Sequence, residues 1–505
     1  MLLQNTLSAT AQRLPDKICL KSGDRSYTYA EVEHISNHIA LDLKSKGVAR
    51  GDRVVIELEN SPATIFYVYG ILKADAVFVV VHPRTKIDKL KYIISNSGAV
   101  CLITSKDYLS SQRKIKEIRQ FCPTVQNIII DHSSLDNVAW LKIKSSSMLP
   151  SQNIDIDLAG LIYTSGSTGF SKGVMMTHQN IMAAVCSITT YLKNTEDDII
   201  FDALPLSFDY GLYQVFMAFY MGATLIVEKD FVYVQPLLKL FQDEKVTGLP
   251  LVPTMISLLL QAENFSQFDL SHVRYISSTG SVLPLWQIEK IRRVLPHVQI
   301  FSMYGLTECK RVSYLDPAEI DHRPHSVGKA MPNLEVFIAD DQGNPLPPEQ
   351  VGELVIRGAT VMQGYWNDSE GTEARIKPGR YPADRLLFSG DLFKMDAEGF
   401  LYFVGRKDEM LKVKGERLYP KEVENVLLQF PGVQETAVIG VKDELWGHTL
   451  KAFILPSDQN NKPDTKQLML HCLRKLEAFA IPKEIEFVES FPRTSTGKID
   501  KKQLK

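Results

Sequence analysis

The sequence lacks the features that mark membrane-spanning, secreted or nucleic-acid-binding proteins. Its 505 residues contain no apolar run long enough to cross a bilayer. Residues 1–16 show no basic segment followed by an apolar core, so we expect no signal peptide. The 57 Lys and Arg residues nearly balance the 59 Asp and Glu residues, for a net charge of −2. Charge therefore gives no reason to expect binding to nucleic acid or to an acidic membrane.

Cysteine is scarce and shows no pattern. The six cysteines are scattered, without Cys-x-x-Cys or metal-ligand spacing, so neither a disulfide framework nor a zinc site is predicted. We expect reduced, mostly buried thiols in a cytoplasmic protein. The content of 45% hydrophobic and 23% charged residues is ordinary for a protein with a large core. A chain of 505 residues is long for one compact unit and predicts several lobes.

A stretch rich in glycine and hydroxyl side chains follows an apolar run near residue 160. Residues 158–162 predict a buried strand, and Tyr-Thr-Ser-Gly-Ser-Thr-Gly-Phe-Ser-Lys-Gly follows at 163–173. Glycines allow the backbone N–H groups to approach an anion, hydroxyls donate hydrogen bonds and the lysine adds charge. No Walker spacing can be fitted, which argues against a P-loop NTPase. A flexible Ser/Gly linker is the alternative, but linkers rarely follow a buried strand, so we predict a phosphate-binding loop.

Four further motifs follow in order. They are Met-Tyr-Gly-Leu-Thr-Glu at 303–308, Ser-Gly-Asp-Leu at 389–392, Gly-Arg-Lys-Asp at 405–408 and Pro-Arg-Thr-Ser-Thr-Gly-Lys at 492–498. With the loop, they make the chain resemble the adenylate-forming superfamily, which includes acyl-CoA synthetases, peptide-synthetase adenylation domains and beetle luciferase. The resemblance runs from about residue 26 to residue 498, and five motifs in register are very specific. It implies an AMP-forming acid–thiol ligase that uses ATP and Mg²⁺.

The order of the elements predicts a mixed α/β fold. Between residues 28 and 130, strand and helix patterns alternate, which is typical of parallel sheets flanked by helices. Residues 325–366 are rich in strand patterns, and a compact βαβ-like pattern follows residue 408. We expect a large N-terminal domain at 1–407, with a barrel-like subdomain at 325–407, and a small mobile α+β C-terminal domain at 408–505.

The resemblance implies roles for single residues. Lys498, Thr307 and Glu308 would be catalytic, with Thr307 on the α-phosphate and Glu308 on Mg²⁺. Asp391 suits the ribose diol, because one carboxylate can accept from both hydroxyls. Taken singly, these charged residues would be ordinary surface charges or salt bridges. The expected ATP site comprises Thr164, Ser165, Gly166, Ser167, Thr168, Gly169, Lys172, Gly280, Ser281, Val282, Tyr304, Gly305, Asp391 and Arg406.

The resemblance also implies two half-reactions in two domain orientations. Asp408 lies where the family has its hinge. Lys412, Lys414 and Gly415 would lie on the opposite face of the small domain from Lys498. That face would approach the site for the second step, in which a thiol attacks the acyl-adenylate.

The residues expected at the acyl pocket favour two different classes of ligase. Phe208-Asp209 resembles the Phe-Asp of amino-acid activators, where the aspartate pairs with the substrate α-ammonium. A carboxylate in a largely apolar pocket is costly unless a cation meets it, which favours an amine-bearing acid; helix capping is the alternative. Residues 412–424 look closer to free-standing acyl ligases. Lys310-Arg311 is unusual for an amino-acid activator and would meet an anionic group or form a local ion pair.

The leading hypothesis is a stand-alone ligase that activates a small, for instance proline-like, amino acid and loads a separate acyl or peptidyl carrier protein. The alternative is a small- or medium-chain acyl-CoA synthetase. A homologue that makes no thioester is disfavoured, because Lys498 and Glu308 are both present. Two tyrosines near the entrance helix argue for a small or medium acid. The expected pocket comprises Asp209, Tyr210, Tyr213, Pro250, Ser277, Thr279, Met303 and Arg311.

Overall fold

The computed structural model describes residues 1–105, 112–131, 150–165, 171–262, 264–413, 416–443, 447–494 and 498–504. The helices of the described part are α1 Gln4–Arg13, α2 Tyr29–Ser45, α3 Pro62–Lys73, α4 Ile87–Ser97, α5 Gln112–Phe121, α6 His178–Leu192, α7 Asp209–Met221, α8 Val234–Asp243, α9 Pro253–Leu260, α10 Leu285–Val294, α11 Ser369–Arg375, α12 Pro420–Leu428 and α13 Thr465–Lys475.

The described part contains many strands, and between residues 28 and 130 they alternate with helices as predicted. They are β1 Ile18–Ser22, β2 Arg25–Thr28, β3 Arg53–Glu57, β4 Val77–Val80, β5 Cys101–Ser105, β6 Asn127–Asp131, β7 Leu158–Ser165, β8 Ser171–Thr177, β9 Ile199–Asp202, β10 Thr224–Val227, β11 Gly248–Leu251, β12 Tyr275–Ser278, β13 Gln299–Tyr304, β14 Ser313–Tyr314, β15 Lys329–Ala330, β16 Leu334–Ala339, β17 Val351–Gly358, β18 Ile376–Pro378, β19 Arg385–Met395, β20 Leu401–Arg406, β21 Leu411–Val413, β22 Glu416–Leu418, β23 Val433–Asp443, β24 Gly447–Pro456 and β25 Glu484–Phe487.

Two large sheets form the N-terminal part. One has the order β15-β14-β13-β12-β11-β9-β10-β1-β2, and its central strands β13 to β1 run parallel. The other has the order β6-β5-β3-β4-β7-β8 and is parallel except for β8. Helices cover both faces of the first sheet: along β10, Leu225 belongs to one buried cluster and Ile226 to another. A mixed α/β fold with a smaller C-terminal domain confirms the predicted fold class.

Local signals explain where individual helices begin. Helix α2 starts at a capping box, in which the Glu31 N–H donates to Thr28 Oγ1 and the Thr28 N–H donates to Glu31 Oε2. Such a cap contributes about 1 kcal/mol. In α7, Gly211 is required by packing, because a Cβ there would lie 2.7 Å from the carbonyl oxygens of Leu204 and Pro205. The turn before α7 is therefore held tightly against the helix.

The segment predicted as a barrel-like subdomain forms an antiparallel sheet of five strands, in the order β16-β17-β19-β18 with β20 also on β19. Within the described residues, no pairing closes it into a barrel. In the C-terminal part, β23 and β24 form an antiparallel pair, and only β24, α13 and β25 make the predicted βαβ unit. The domain boundary at 407/408 stays a prediction.

The described cysteines are free thiols, five of them buried, as the sequence predicts. Among the described helices, we find none with the length and hydropathy needed to span a bilayer.

Candidate active site

The carboxyl ends of the parallel strands place the motifs together. Parallel strands that lie side by side end at the same edge of their sheet, and that edge is where ligands bind in open α/β folds. Residues 279–282 follow β12, and residues 305–308 follow β13, the strand paired with β12. The turn before α7 follows β9 of the same sheet. Residues that are far apart in the sequence therefore meet at one edge.

A cavity of about 1390 Å³ opens at this edge. Its lining includes sixteen of the residues named from the sequence, taken from the expected nucleotide site, the catalytic set and the acyl pocket. They are Thr164, Lys172, Asp209, Tyr210, Thr279, Gly280, Ser281, Val282, Met303, Tyr304, Gly305, Thr307, Glu308, Asp391, Arg406 and Lys498.

The predicted phosphate loop lies partly outside the described residues. Gly166, Ser167, Thr168 and Gly169 are not described, and Ser165 ends β7. The loop connects an antiparallel pair of strands, β7 and β8, with Thr164 opposite Lys172. The sequence pattern of a strand and a loop did not reveal this hairpin. Lys172 Nζ lies 2.9 Å from Asp368 Oδ2 and 4.7 Å from the centre of the Tyr365 ring, so the lysine is held at the cavity wall.

The turn after β13 is tightly packed. A Cβ at Gly305 would lie 2.2 Å from the carbonyl oxygen of Lys310, so any larger residue would displace the backbone. Lys310 itself has a left-handed φ of 66°, which is unfavourable for a lysine. Strain of this kind persists only where the surroundings hold it, and it is frequent at functional sites.

Tyr304, Asp391 and Arg406 form a group on the cavity wall. The Tyr304 hydroxyl donates to Asp391 Oδ2 at 2.6 Å, and Arg406 Nε lies 3.9 Å from Asp391 Oδ1. Burial raises the pKa of Asp391, while Tyr304 and the charges of Arg406 and Lys498 oppose the rise. Asp391 Oδ1 is buried and accepts no hydrogen bond from a described residue, so it can accept one from a ligand.

Glu308 offers the oxygen chemistry that Mg²⁺ prefers. The Tyr365 hydroxyl donates to Glu308 Oε1 at 2.7 Å, which orients the carboxylate in the cavity wall. The described residues include no group of three or more His, Cys, Asp or Glu side chains that could hold a metal by themselves. This arrangement fits Mg²⁺, which is commonly bound through one or two carboxylates together with substrate phosphates and water.

Lys498 reaches the cavity from the C-terminal part of the chain. Burial lowers its pKa, and the charge of Arg406 acts in the same direction, while Asp391, Asp209 and Glu308 oppose the shift. The lysine lines the same cavity as these carboxylates, and it is exposed to solvent.

The predicted hinge residue lies in a short turn. Asp408 is exposed in a 3₁₀ turn, Lys407–Glu409, and accepts a hydrogen bond from Arg406 Nε at 2.9 Å. Burial alone would raise its pKa, but the bond from Arg406 and its charge outweigh burial and lower it. Lys412 lies in β21, whereas Lys414 and Gly415 lie outside the described residues.

Asp209 is the first residue of α7 and lies on the cavity wall, 6% exposed. Phe208 holds the cap position, and no side chain makes a capping hydrogen bond there. Lys310 Nζ lies 3.8 Å from Asp209 Oδ2. Burial lowers the pKa of Lys310 to about 7, although Asp209 opposes the shift. The carboxylate that was predicted to await a substrate cation thus already faces the amine of Lys310, which is charged below a pKa of about 7.

Four predicted wall residues lie behind the cavity lining. Tyr213 is buried in the core, Pro250 lies in the buried strand β11, and Ser277 accepts a hydrogen bond from Tyr210. Arg311 is 1% exposed, with its guanidinium 5.0 Å from the Tyr210 ring centre and donating to Met303 Sδ at 3.2 Å.

Comparison with known proteins identifies the family. The model of the AMP-binding enzyme family matches residues 7–366, and that of the AMP-binding enzyme C-terminal domain matches residues 422–498. The chain belongs to the AMP-binding enzyme family. It is an AMP-forming acid–thiol ligase that uses ATP, which confirms the prediction of the enzyme class.

Three relatives of this AMP-binding enzyme differ in their named activities. A long-chain-fatty-acid–CoA ligase of Bacillus subtilis is 30% identical over 99% of this chain and 94% of its own length. Tyrocidine synthase 3 of Brevibacillus parabrevis is 28% identical over 99% of this chain but only 8% of its own length. The crystal structure of an anthranilate CoA ligase in complex with anthranoyl-AMP has a TM-score of 0.90 and 28% identity, covering 100% of this chain and 96% of that one.

In this AMP-binding enzyme, the largest difference between the predicted and the observed acyl pocket concerns Lys310. The sequence singled out Lys310-Arg311 together but assigned only Arg311 to the pocket, whereas Lys310 lines the cavity and Arg311 does not. The left-handed backbone at residue 310 decides which side chain faces the cavity, and no sequence pattern reveals it.

Proposed function

We propose that this enzyme joins a small or medium carboxylic acid to ATP, releases pyrophosphate and transfers the acyl group to the thiol of coenzyme A. The observation that carries the proposal is the position of Lys498, which lines one cavity together with Glu308 and Asp391. A lysine from the C-terminal part thus lines the cavity with Glu308, which follows β13, and with Asp391, which lies in β19.

The first step is opposed by repulsion between the negative charges of the acid and of ATP. A carboxylate oxygen attacks the α-phosphorus of ATP, the bond to the β-phosphate oxygen breaks, and negative charge builds up on the oxygens of the pentavalent centre. Lys498 would stabilise this charge and bring the two anions together, and Thr307 would donate to the α-phosphate. In the second step the thiol sulfur attacks the acyl carbon, and AMP leaves.

The remaining cavity residues would hold the nucleotide. Asp391 Oδ1 is buried without a described hydrogen-bond donor and would accept from the ribose hydroxyls. Tyr304 would face adenine, and Lys172 would meet the terminal phosphates with the 164–169 loop. Glu308 would hold Mg²⁺, whose charge neutralises the phosphates when it is bound.

A second candidate is the activation of an amino acid for a carrier protein. Phe208-Asp209 and the similarity to tyrocidine synthase 3 favour it. Lys310 weighs against it, because a substrate ammonium beside Asp209 would also meet the cation 3.8 Å from that carboxylate. Like charges in a buried site oppose each other strongly. We therefore place the coenzyme A reaction first.

ATP–pyrophosphate exchange with matched acids tests the choice. We expect cyclopentanecarboxylate to support at least about tenfold faster exchange than proline, because the ammonium of proline would meet Lys310. Acyl transfer is measured with the same acid and either coenzyme A or a phosphopantetheinylated carrier protein. Faster exchange with proline, together with transfer only to the carrier, would establish the second candidate instead.

A proline at the hinge is expected to separate the two half-reactions. The variant Asp408→Pro fixes φ at one residue and removes its N–H, so it should favour one domain orientation. Adenylation and thioester formation should then fall by clearly different factors, measured as pyrophosphate exchange and acyl-CoA formation. The control Asp408→Ala removes the bond from Arg406 but leaves the backbone free, so it should not separate the two steps. Equal losses in Asp408→Pro would contradict a hinge at this residue.

A further inference from the structure

The ion pair between Lys310 and Asp209 has an unusual separation. Both residues line the cavity, and both are nearly buried, with Lys310 4% and Asp209 6% exposed. The distance of 3.8 Å between Lys310 Nζ and Asp209 Oδ2 exceeds that of a charge-assisted hydrogen bond, about 2.7–2.9 Å. At this separation the contact between Lys310 Nζ and Asp209 is at most a weak hydrogen bond. The pair therefore leaves hydrogen-bonding capacity directed at the cavity.

The surroundings hold the lysine at this distance. Its left-handed backbone packs against Gly305, where no Cβ would fit. The ring centres of Tyr213 and Tyr210 lie 4.5 and 5.5 Å from Lys310 Nζ. Aromatic faces attract a cation but do not satisfy its N–H donors as an oxygen would. The two tyrosine rings and the packed backbone thus favour the position in which Lys310 Nζ lies 3.8 Å from Asp209.

Charge around the pair is unfavourable for another cation. Arg311 lies behind Lys310 and is fully buried. Asp202 is also buried, with Oδ2 lacking a described hydrogen-bond partner, and burial raises its pKa well above the usual value. Burial therefore favours the neutral acid form of Asp202, whereas Asp209 is the carboxylate that lies beside Lys310. An α-ammonium at this place would be repelled.

We infer that the enzyme prefers a hydroxy acid, whose hydroxyl group bridges Lys310 and Asp209; this inference rests on the function proposed above. A hydroxyl accepts from the ammonium and donates to the carboxylate, and an oxygen can lie about 2.8 Å from both atoms of a pair 3.8 Å apart. A methyl group would form no hydrogen bond with either residue. A second carboxylate would be repelled by Asp209, and an ammonium would be repelled by Lys310.

The test compares acids that differ in one substituent. On matched short aliphatic and benzoate frames, methyl, hydroxyl, ammonium (introduced as aminomethyl on the benzoate ring) and carboxylate are exchanged at each position, and kcat/KM is measured by pyrophosphate exchange. We expect the best hydroxy acid to exceed its methyl analogue by at least about tenfold, the loss typical of a buried polar group left unpaired. It should also exceed the ammonium and carboxylate analogues on its own frame.

Two variants locate the effect at the pair. Lys310→Met keeps an unbranched side chain without charge, and Asp209→Asn keeps the shape of the side chain. Each should lower the ratio of kcat/KM for the hydroxy acid to kcat/KM for the methyl acid by about tenfold or more. Lys290→Met, at an exposed position on α10, should change neither. Thermal unfolding of each variant reports whether the buried substitution has disturbed the fold. If it has, the comparison of the matched acids on the wild-type enzyme decides whether a hydroxyl group bridges the pair.

The outcomes separate the inference from the function on which it rests. A preference for the methyl acid would make the pair purely structural, a preference for the ammonium acid would assign Asp209 to an amine, and a preference for the dicarboxylate would assign Lys310 to an anion. Each of these results overturns the hydroxyl bridge alone. Absence of exchange with every acid would overturn the proposed function as well.

Discussion

Replacement of Lys498 by alanine is expected to lower ATP–pyrophosphate exchange by about two to three orders of magnitude, or about 3–4 kcal/mol of transition-state stabilisation. The lysine is close enough to Asp391, Asp209 and Glu308 for each of these charges to influence its pKa. In the function proposed above, it would contact both the attacking carboxylate and the α-phosphate. The charge that it supplies is needed most when the pentavalent centre forms, so the loss should appear mainly in kcat.

The same variant should retain most acyl transfer when it is supplied with synthetic acyl-adenylate and coenzyme A. The phosphorus–oxygen chemistry is then complete, and the thiolation step would use the other face of the C-terminal domain. Lys502→Ala is the matched control, because Lys502 is exposed and lies four residues away. Normal pyrophosphate exchange by Lys498→Ala would disprove the catalytic assignment, and equal loss of both steps would indicate a general defect.

Glu308→Gln is expected to lower pyrophosphate exchange by about a hundredfold or more at low Mg²⁺. The amide keeps the size of the carboxylate and can still accept from the Tyr365 hydroxyl, but it removes the negative charge that Mg²⁺ prefers. The rate should therefore recover in part as the Mg²⁺ concentration is raised. Initial rates measured over a range of Mg²⁺ at saturating ATP check this expectation.

Two further variants separate the effect of the charge of Glu308 from the effect of its orientation. Tyr365→Phe removes only the hydrogen bond that orients Glu308, so it should cost much less than Glu308→Gln, about 1 kcal/mol. Glu289→Gln removes a charge from an exposed position on α10 and should leave the rate unchanged. If Glu308→Gln kept the wild-type dependence on Mg²⁺, the carboxylate would have no part in metal binding.

The sequence by itself was sufficient for the fold class, the family and the order of the elements. Strong periodicity and local caps act over short distances, so the alternation of strands and helices between residues 28 and 130 could be predicted. Sixteen residues named from the sequence do line one cavity, and most of them lie at or next to the end of a strand. The hairpin of β7 and β8 was missed, since an antiparallel return is determined by pairing and not by the composition of the loop.

Only the tertiary structure decided which side chains face the acyl cavity. Tyr213 lies in α7 with the cavity residues Asp209 and Tyr210, and Ser277 lies in β12 just before the cavity residue Thr279, yet both side chains are buried behind the cavity lining. The interpretation of Asp209 changed most, because the basic side chain nearest to it, Lys310, comes from a loop about a hundred residues later in the chain. Charge pairing depends on distance in space, and a left-handed residue beside a packed glycine sets that distance here.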